Sequence, residues 1–287
     1  MEQDFGITGN DIDFPVSERS ITVNKKKVDG WKAIYRDDIK ETLGIVSNEY
    51  VLIPHSDVAK TTEACLDAKF GAGNYEKHYD VIGDGIRAYM YYKFKNDIVV
   101  KKGDSVENGV RIVNSLNGST RIRGEFYGMR LVCTNGLTIP GWEIGVARKH
   151  LGAIDLEGLE EMLTAFLEKY EVFTDLIMEA ENIEVTAEEI PAIVAQTKIS
   201  KKYQEKALEQ LKTDPHKTLW DVYNGLTYVI SHSDEEGIKI TKNRTFEGTR
   251  RRETEVASIL TLTPEAIEKA VSEYEPPEEI IEETPEA

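Results

Sequence analysis

Cysteine is scarce in this chain of 287 residues, which holds only Cys65 and Cys133. Two cysteines cannot build the disulfide framework that holds small secreted domains together. The sequence also lacks an apolar run of about 18 residues, the length that a transmembrane helix needs. Its acidic N-terminus has no apolar segment typical of a signal peptide. We therefore expect a cytoplasmic protein with no membrane partner.

Motifs for catalysis and cofactor binding are scarce too. The sequence has no phosphate-binding loop, no dinucleotide fingerprint and no cysteine or histidine spacing of a zinc site. His232 and Asp234 are too few for a metal site. Cys133, Asn135 and His150 can be drawn as a cysteine nucleophile site, but Cys133 lies in an apolar, strand-like run where a buried structural thiol is more usual. We predict no catalytic residue, no metal and no cofactor.

Positive charge is in the minority, because the formal net charge is −17. This value argues against a protein that coats duplex DNA through bulk attraction. The charge is unevenly spread, however. Residues 84–135 contain nine Lys or Arg against five Asp or Glu, whereas residues 273–287 contain seven Glu and no cation. A local basic site is therefore compatible with an acidic chain.

The basic stretch, residues 83–135, predicts three or four antiparallel strands. Side chains alternate across a strand, so residues 87–95 have an apolar face formed by Ala88, Met90, Tyr92 and Phe94. Residues 110–115 and 120–127 alternate in the same way and flank the hairpin signal Asn117-Gly118. The opposite face is predicted to be basic and aromatic, and Glu125 and Tyr127 share it. Its candidate nucleic-acid contacts are Arg87, Tyr89, Tyr91, Lys93, Lys95, Arg111, Arg121 and Arg123.

An open sheet face that mixes tyrosine with lysine and arginine suits single-stranded nucleic acid. The rings offer stacking platforms for bases, and the cations follow the phosphates. The alternative is structural, since antiparallel sheets commonly have one solvated face on which lysine and tyrosine are ordinary. Both interpretations remain open at this point.

A second basic feature covers residues 239–252, which contain six cations and one acid. The sequence predicts a loop around Gly248 that leads into a helix over residues 250–260. Three consecutive arginines near a helix start oppose the helix dipole, and a phosphate ligand would offset that cost. The alternative is that they pair with the acidic helices of the same chain. The candidate phosphate contacts here are Arg244, Arg250, Arg251 and Arg252.

The order of predicted elements indicates an α+β fold. Strands over residues 21–23, 31–35 and 44–53 precede a helix over residues 58–70 and the antiparallel β-meander. The second half is helical, with one long helix over residues 155–181 and a capping box at Thr186 and Glu189. The predicted organisation is a flexible N-terminus (1–20), a sheet domain (21–150), a helical region (151–274) and a disordered acidic tail (275–287).

Three segments carry a resemblance to a known family. Residues 130–136 (RLVCTNG), 147–150 (ARKH) and 218–227 (TLWDVYNGLT) resemble the phage and plasmid proteins called domain of unknown function 932, over about residues 45–260. The sequence departs from the expected pattern at Gly225, where alanine is expected, and at Ser231-His232, where an Asp-His pair is expected. The resemblance implies the biology of mobile elements and supplies no mechanism.

We expect a non-enzymatic protein of a phage or plasmid that binds or anneals single-stranded nucleic acid in recombination or replication. Single-stranded DNA is the expected partner, assembly into a homo-oligomer is expected to multiply weak contacts, and the acidic tail is a candidate site for a protein partner. The alternative is an acidic interaction or inhibitory factor that mimics DNA or binds a host protein. The location of the ligand, on basic sheet or acidic helices, distinguishes the two.

Overall fold

The computed structural model of the protein describes residues 7–130, 135–139, 146–148, 156–212, 217–232 and 246–275. Within these ranges the first half of the chain consists of strands with one long helix, and the part after residue 156 is mainly helical. The architecture is therefore α+β, as the sequence predicted.

Eleven strands and one helix are described in the first half of the chain. The strands are β1 (Ile7–Gly9), β2 (Val16–Val23), β3 (Lys26–Arg36), β4 (Glu41–Ser47), β5 (Tyr75–Ile82), β6 (Arg87–Phe94), β7 (Ile98–Lys101), β8 (Asp104–Ser115), β9 (Ile122–Arg130), β10 (Asn135–Ile139) and β11 (Val146–Arg148). Helix α1 (His55–Phe70) connects β4 to β5. Strand β1 and the start of β2 lie within residues 1–20, the segment predicted to be flexible, and pair with β5 and β3.

The second half contains seven described helices and two short strands. They are α2 (Leu156–Leu167), α3 (Tyr170–Asn182), β12 (Glu184–Val185), α4 (Ile190–Ala195), α5 (Lys201–Leu211), β13 (Lys217–Thr218), α6 (Leu219–Ser231), α7 (Phe246–Ala257) and α8 (Pro264–Glu273). A search of the described residues finds no helix with the length and apolar character needed to cross a membrane.

The strands form one large and one small antiparallel sheet, besides the β12–β13 pair. The large sheet has the order β1-β5-β6-β8-β9-β10, with β7 paired to β8 and β11 paired to β9. The small sheet has the order β2-β3-β4. The loop between β8 and β9 contains the predicted turn residue Gly118, whose φ of +70° lies in the left-handed region that glycine tolerates.

One part of the core lies between the large sheet and helices α1, α2 and α3, and the core continues into the small sheet and the later helices. The predicted apolar face of β6 is buried, including Ala88, Met90 and Tyr92. On β9, the ring of Phe126 stacks on Phe166 of α2, with ring centres 4.4 Å apart, and on Phe173 of α3 at 5.3 Å. Aromatic pairs of this kind contribute about 0.5–1.5 kcal/mol beyond the burial of their area.

The predicted helix over residues 155–181 is two helices, α2 and α3. The chain breaks at Glu168 and Lys169, where the Lys169 amide donates to the carbonyl of Phe166 instead of continuing the α-helical pattern. Phe166 and Phe173, on either side of the break, both stack on Phe126. The prediction missed the break because the apolar spacing of the two helices continues without a gap.

The starts of the helices agree better with the sequence rules for N-terminal capping than the helix lengths do with the apolar spacing. The reciprocal hydrogen bonds of the predicted capping box are present in the turn before α4, where the Glu189 amide donates to the Thr186 hydroxyl and the Thr186 amide donates to the Glu189 carboxylate. Thr218 and Asp221 form a second capping box at α6. These contacts satisfy amides at the helix start that have no partner within the helix.

Candidate functional site

The predicted basic and aromatic residues of β6 lie on the side of the large sheet opposite the core, called here the polar face. On β6 this face consists of Arg87, Tyr89, Tyr91 and Lys93. Tyr89 is only 1% exposed, so the prediction that it lines an open surface is wrong. Tyr91 is partly buried against His78 and Tyr127. Burial raises the pKa of the Tyr91 phenol, an effect that the neighbouring Arg111 opposes.

Arg111 was also predicted to lie on the open surface, and it too is buried. It is 5% exposed and forms a 2.6 Å ion pair with Glu125, which is 3% exposed. Nε of Arg123 lies 3.4 Å from the other oxygen of the same carboxylate. The two arginines therefore hold one buried carboxylate between them, and Arg111 is not available to a ligand at the surface.

Charge on the polar face is balanced across strands β5, β6, β8 and β9. The strand register places four cations and four carboxylates on this side of the sheet. The cations are Arg87, Lys93, Arg111 and Arg123, and the carboxylates are Glu76, Asp80, Glu107 and Glu125. Lys93, for example, forms a 2.7 Å ion pair with Glu107. The positive field expected from the sequence is therefore largely cancelled by neighbouring strands.

The remaining predicted cations lie in different parts of the molecule. Lys95 is exposed just beyond β6 and forms no ion pair with any described residue. Arg251 on α7 is exposed, and the Arg252 guanidinium lies over the Tyr203 ring at 5.2 Å. Arg244 and the side chain of Arg250 lie outside the described residues. Helix α7 packs on β10 and α6.

An open cleft of about 540 Å³ lies where β4, at the edge of the small sheet, meets the loop between β8 and β9. Its lining residues are Trp31, Ile45, Val46, Ser47, Tyr50, Asn117, Gly118, Ser119, Thr120 and Arg121. Trp31 is 51% exposed and Ile45 is 58% exposed. Arg121 is exposed and has no ion pair among the described residues. The cleft therefore joins an accessible indole to a guanidinium that no carboxylate in the described part of the chain neutralises.

The wall of the cleft is tightly packed against β4. A Cβ atom on Gly44 would lie 2.4 Å from the Cβ of Asn117, so the loop rests directly on the strand backbone. The buried Tyr50 hydroxyl donates to the Ser115 carbonyl at 2.8 Å. The Thr120 amide donates to the Ser115 hydroxyl oxygen at 3.1 Å. These contacts hold the loop in one position relative to the small sheet.

Arg87 supports the same loop from the polar face. Its Nη2 donates to the Ser119 hydroxyl oxygen at 3.2 Å, and its Nη1 donates to the Tyr89 hydroxyl oxygen at 3.3 Å. The structure thus brings two predicted residues, Arg87 and Arg121, to one region. Trp31 and the loop hydroxyls were not predicted from the sequence as parts of a site. A tryptophan within a strand is the signal that could have drawn attention to Trp31, but the strand pattern leaves its exposure undecided.

No group of three or more His, Cys, Asp or Glu in the described ranges could hold a metal ion. Cys65 is buried, and this burial raises the pKa of its thiol. His232 stacks on Tyr228 with ring centres 4.3 Å apart. Cys133 and His150 lie outside the described residues.

A family model described as Domain of unknown function (DUF932) matches residues 42–260. The matched range contains the three segments that carried the resemblance. It includes Arg121 and the loop between β8 and β9, but it begins after Trp31. No curated protein and no solved structure matches the chain.

Proposed function

The chain belongs to this family of unknown function, and we propose that it binds single-stranded nucleic acid without catalysing a reaction. As a protein of a phage or plasmid, it would act in recombination or replication through binding or annealing of single-stranded DNA. We place the binding site at the cleft between the small sheet and the β8–β9 loop. Trp31 and Arg121 are its main contacts, and Arg87 holds the loop in place.

The observation that carries the proposal is that the accessible Trp31 indole lines the same cleft as the Arg121 guanidinium, which pairs with no carboxylate among the residues that the structure describes. A base that stacks on an aromatic ring contributes about 1–3 kcal/mol to binding. A guanidinium attracts the phosphate that follows the base and can donate two parallel hydrogen bonds to it. The hydroxyls of Ser47, Ser119 and Thr120 line the same cleft and add donors and acceptors.

The same features favour single strands over duplex. In a duplex the faces of the bases are stacked on one another, whereas an unpaired base can be splayed out onto a protein ring. Duplex binding depends on many phosphate contacts over a broad positive surface. The chain carries a net charge of −17, and the polar face of its large sheet is charge-balanced. A small local site is therefore the form of binding that the chain can support.

The test is fluorescence anisotropy of a labelled single-stranded oligonucleotide at two salt concentrations, with a duplex of the same sequence for comparison. Trp31→Ala is expected to weaken binding by about 1–3 kcal/mol. Arg121→Ala is expected to weaken binding and to reduce the salt dependence by about one phosphate contact. The matched controls are Val172→Ala and Lys201→Ala, which remove an exposed apolar side chain and an exposed cation on distant helices.

Two results would overturn the proposal. One is the absence of binding at low salt, both in the whole chain and in a version that ends at Glu275. The other is binding that the Trp31 and Arg121 variants weaken no more than the two controls do. Tighter binding to the duplex would overturn the preference for single strands.

The acidic interaction factor remains the second candidate, because one observation favours it. The surface of α2 has an open depression of about 470 Å³ lined by Glu157, Glu160, Glu161, Thr164, Ala165 and Glu168. Such a surface suits a basic protein partner through charge complementarity. Binding of a basic host protein that Glu160→Lys and Glu161→Lys abolish, together with no binding of oligonucleotides, would favour this candidate.

A further inference from the structure

The cleft continues onto the outer face of the small sheet, defined here by Trp31, Ala33 and Tyr35 of β3 and by their neighbours on β2 and β4. Ala33 lies between Arg19 of β2 and Ile45 of β4 in the strand register. Side chains of directly opposed residues point to the same side of a sheet. Because Trp31 and Ile45 also line the cleft, the two regions form one surface.

Arg19 and Tyr35 form a stack on this face. The guanidinium carbon of Arg19 lies 3.7 Å from the centre of the Tyr35 ring. Asp37 accepts a 2.6 Å hydrogen bond from Nη2 of Arg19, and the same carboxylate oxygen accepts one from the Ser17 hydroxyl at 3.0 Å. The Arg19 side chain is 53% exposed. The guanidinium is thus held on the ring from one side while much of the side chain remains open to solvent.

The partner of Arg19 indicates what the stack can bind. Asp37 neutralises the arginine charge, so Arg19 is a weak anchor for phosphate. Its planar group remains suited to stacking, because bases stack on arginine planes as well as on aromatic rings. Arg121, which no described carboxylate neutralises, is by contrast the contact for phosphate in the cleft. The outer face therefore combines one charged contact with two stacking surfaces.

The distance between the two stacking surfaces indicates the length of the ligand. Trp31 and Tyr35 are four residues apart on β3, which corresponds to about 13 Å along an extended strand. The surface between them carries the apolar side chains of Ala33 and Ile45, and Arg19, which lies opposite Ala33, is paired with Asp37. One nucleotide cannot stack on both surfaces, whereas neighbouring nucleotides of one strand can.

We infer that the Arg19–Tyr35 stack is a second base-binding platform, and that the ligand of this protein is a strand of at least two nucleotides rather than a free nucleotide. The inference rests on the proposed function, because it extends the Trp31 cleft along the same sheet face. The occupant is single-stranded nucleic acid, since an exposed guanidinium held flat on a ring fits the face of a base and the surface continues into the cleft.

The experiment compares a mononucleotide, a trinucleotide and a longer oligonucleotide of the same base by isothermal titration with the full chain. Arg19→Lys keeps the charge opposite Asp37 and removes the planar group. It is expected to weaken binding of the longer oligonucleotide about tenfold, to leave the mononucleotide affinity unchanged and to leave the salt dependence unchanged. Trp31→Ala is expected to weaken binding of all three ligands.

The matched control is Arg36→Lys. Arg36 also lies over an aromatic ring, that of Phe14 at 3.8 Å, and also pairs with an aspartate, Asp38. Its side chain is only 17% exposed, so it is unsuited to stacking with a ligand. Thermal melting of each variant separates a loss of folding from a loss of binding, and gel filtration reports the oligomeric state.

The outcomes separate this inference from the proposed function. If Arg19→Lys binds the oligonucleotides as the wild type does while Trp31→Ala binds weakly, the second platform is refuted and the cleft remains. If Arg19→Lys changes only the oligomeric state, the outer face is a contact between copies and the inference is wrong. If the wild type binds none of the ligands, the proposed function itself fails.

Discussion

Arg111 on β8 and Glu125 on β9 lie directly opposite each other in the large sheet and form a buried 2.6 Å ion pair. Arg123 lies beside the same carboxylate. Because of this ion pair, the basic residues of the stretch 83–135 cannot all be counted as ligand contacts. The carboxylate that neutralises Arg111 comes from the neighbouring strand, so the cation stabilises the sheet instead of attracting a ligand.

Glu125→Gln is expected to destabilise the fold strongly. The substitution removes the carboxylate and leaves two arginines close together in a buried region, and loss of one partner of a buried pair costs about 3–5 kcal/mol. Replacing both members, as Arg111→Met with Glu125→Leu, is expected to cost less. Urea denaturation measures the free energy of unfolding. The exposed Lys206–Glu209 pair is the control, and a Glu125→Gln loss as small as that of Lys206→Ala would contradict the prediction.

Gly44→Ala is expected to disturb the cleft without touching a proposed ligand contact. The new methyl group would meet the Asn117 side chain at 2.4 Å, so the loop between β8 and β9 must move. Overpacking of this kind costs about 1–3 kcal/mol of stability, and we expect weaker oligonucleotide binding as well. Gly9→Ala is the control, because nothing lies within 4 Å of the added Cβ. Equal melting temperatures for the two variants would show that the loop is not held against β4.

Stability is expected to fall at alkaline pH because of buried tyrosines. Burial raises the pKa of Tyr170 to about 12, and its hydroxyl donates to Asn108. Tyrosines of the unfolded chain titrate near pH 10, so the folded chain retains this proton while the unfolded chain loses it. The contribution is fully present below about pH 10 and is lost as pH rises toward about 12. Urea denaturation across this range should show a shallower decline for Tyr170→Phe, and an unchanged slope would contradict the assignment.

Removal of residues 276–287 is expected to strengthen oligonucleotide binding at low salt. This segment contains five Glu and no cation, so it repels phosphate and competes for basic groups. The gain should shrink at high salt, because screening weakens interactions between exposed charges. Anisotropy titrations of the whole and the shortened chain measure the difference. Equal affinities at low salt would show that the tail neither repels the ligand nor covers its site.

Local patterns predicted much of the fold. Alternation along β6 assigned its core face correctly, and the capping box at Thr186 and Glu189 is present as expected. The prediction of one helix across Glu168 and Lys169 failed, because the apolar spacing runs on through the break and gives no local sign of it. Tyr89 and Arg111 were predicted to be exposed because the residues that bury them come from other strands, and a local pattern does not contain those residues.

The sequence by itself determined the α+β class, several of the strands and helices, and which side of β6 faces the core. These features depend on side-chain periods of two and about 3.6 residues, which are local. Only the tertiary structure decided which cations are free, since Arg111 meets Glu125 through strand register and Arg121 meets no described carboxylate. It also decided that Trp31 and Arg121 share one cleft. The position of Trp31 relative to Arg121 depends on how the two sheets and the β8–β9 loop pack together. The local side-chain periods do not specify that packing.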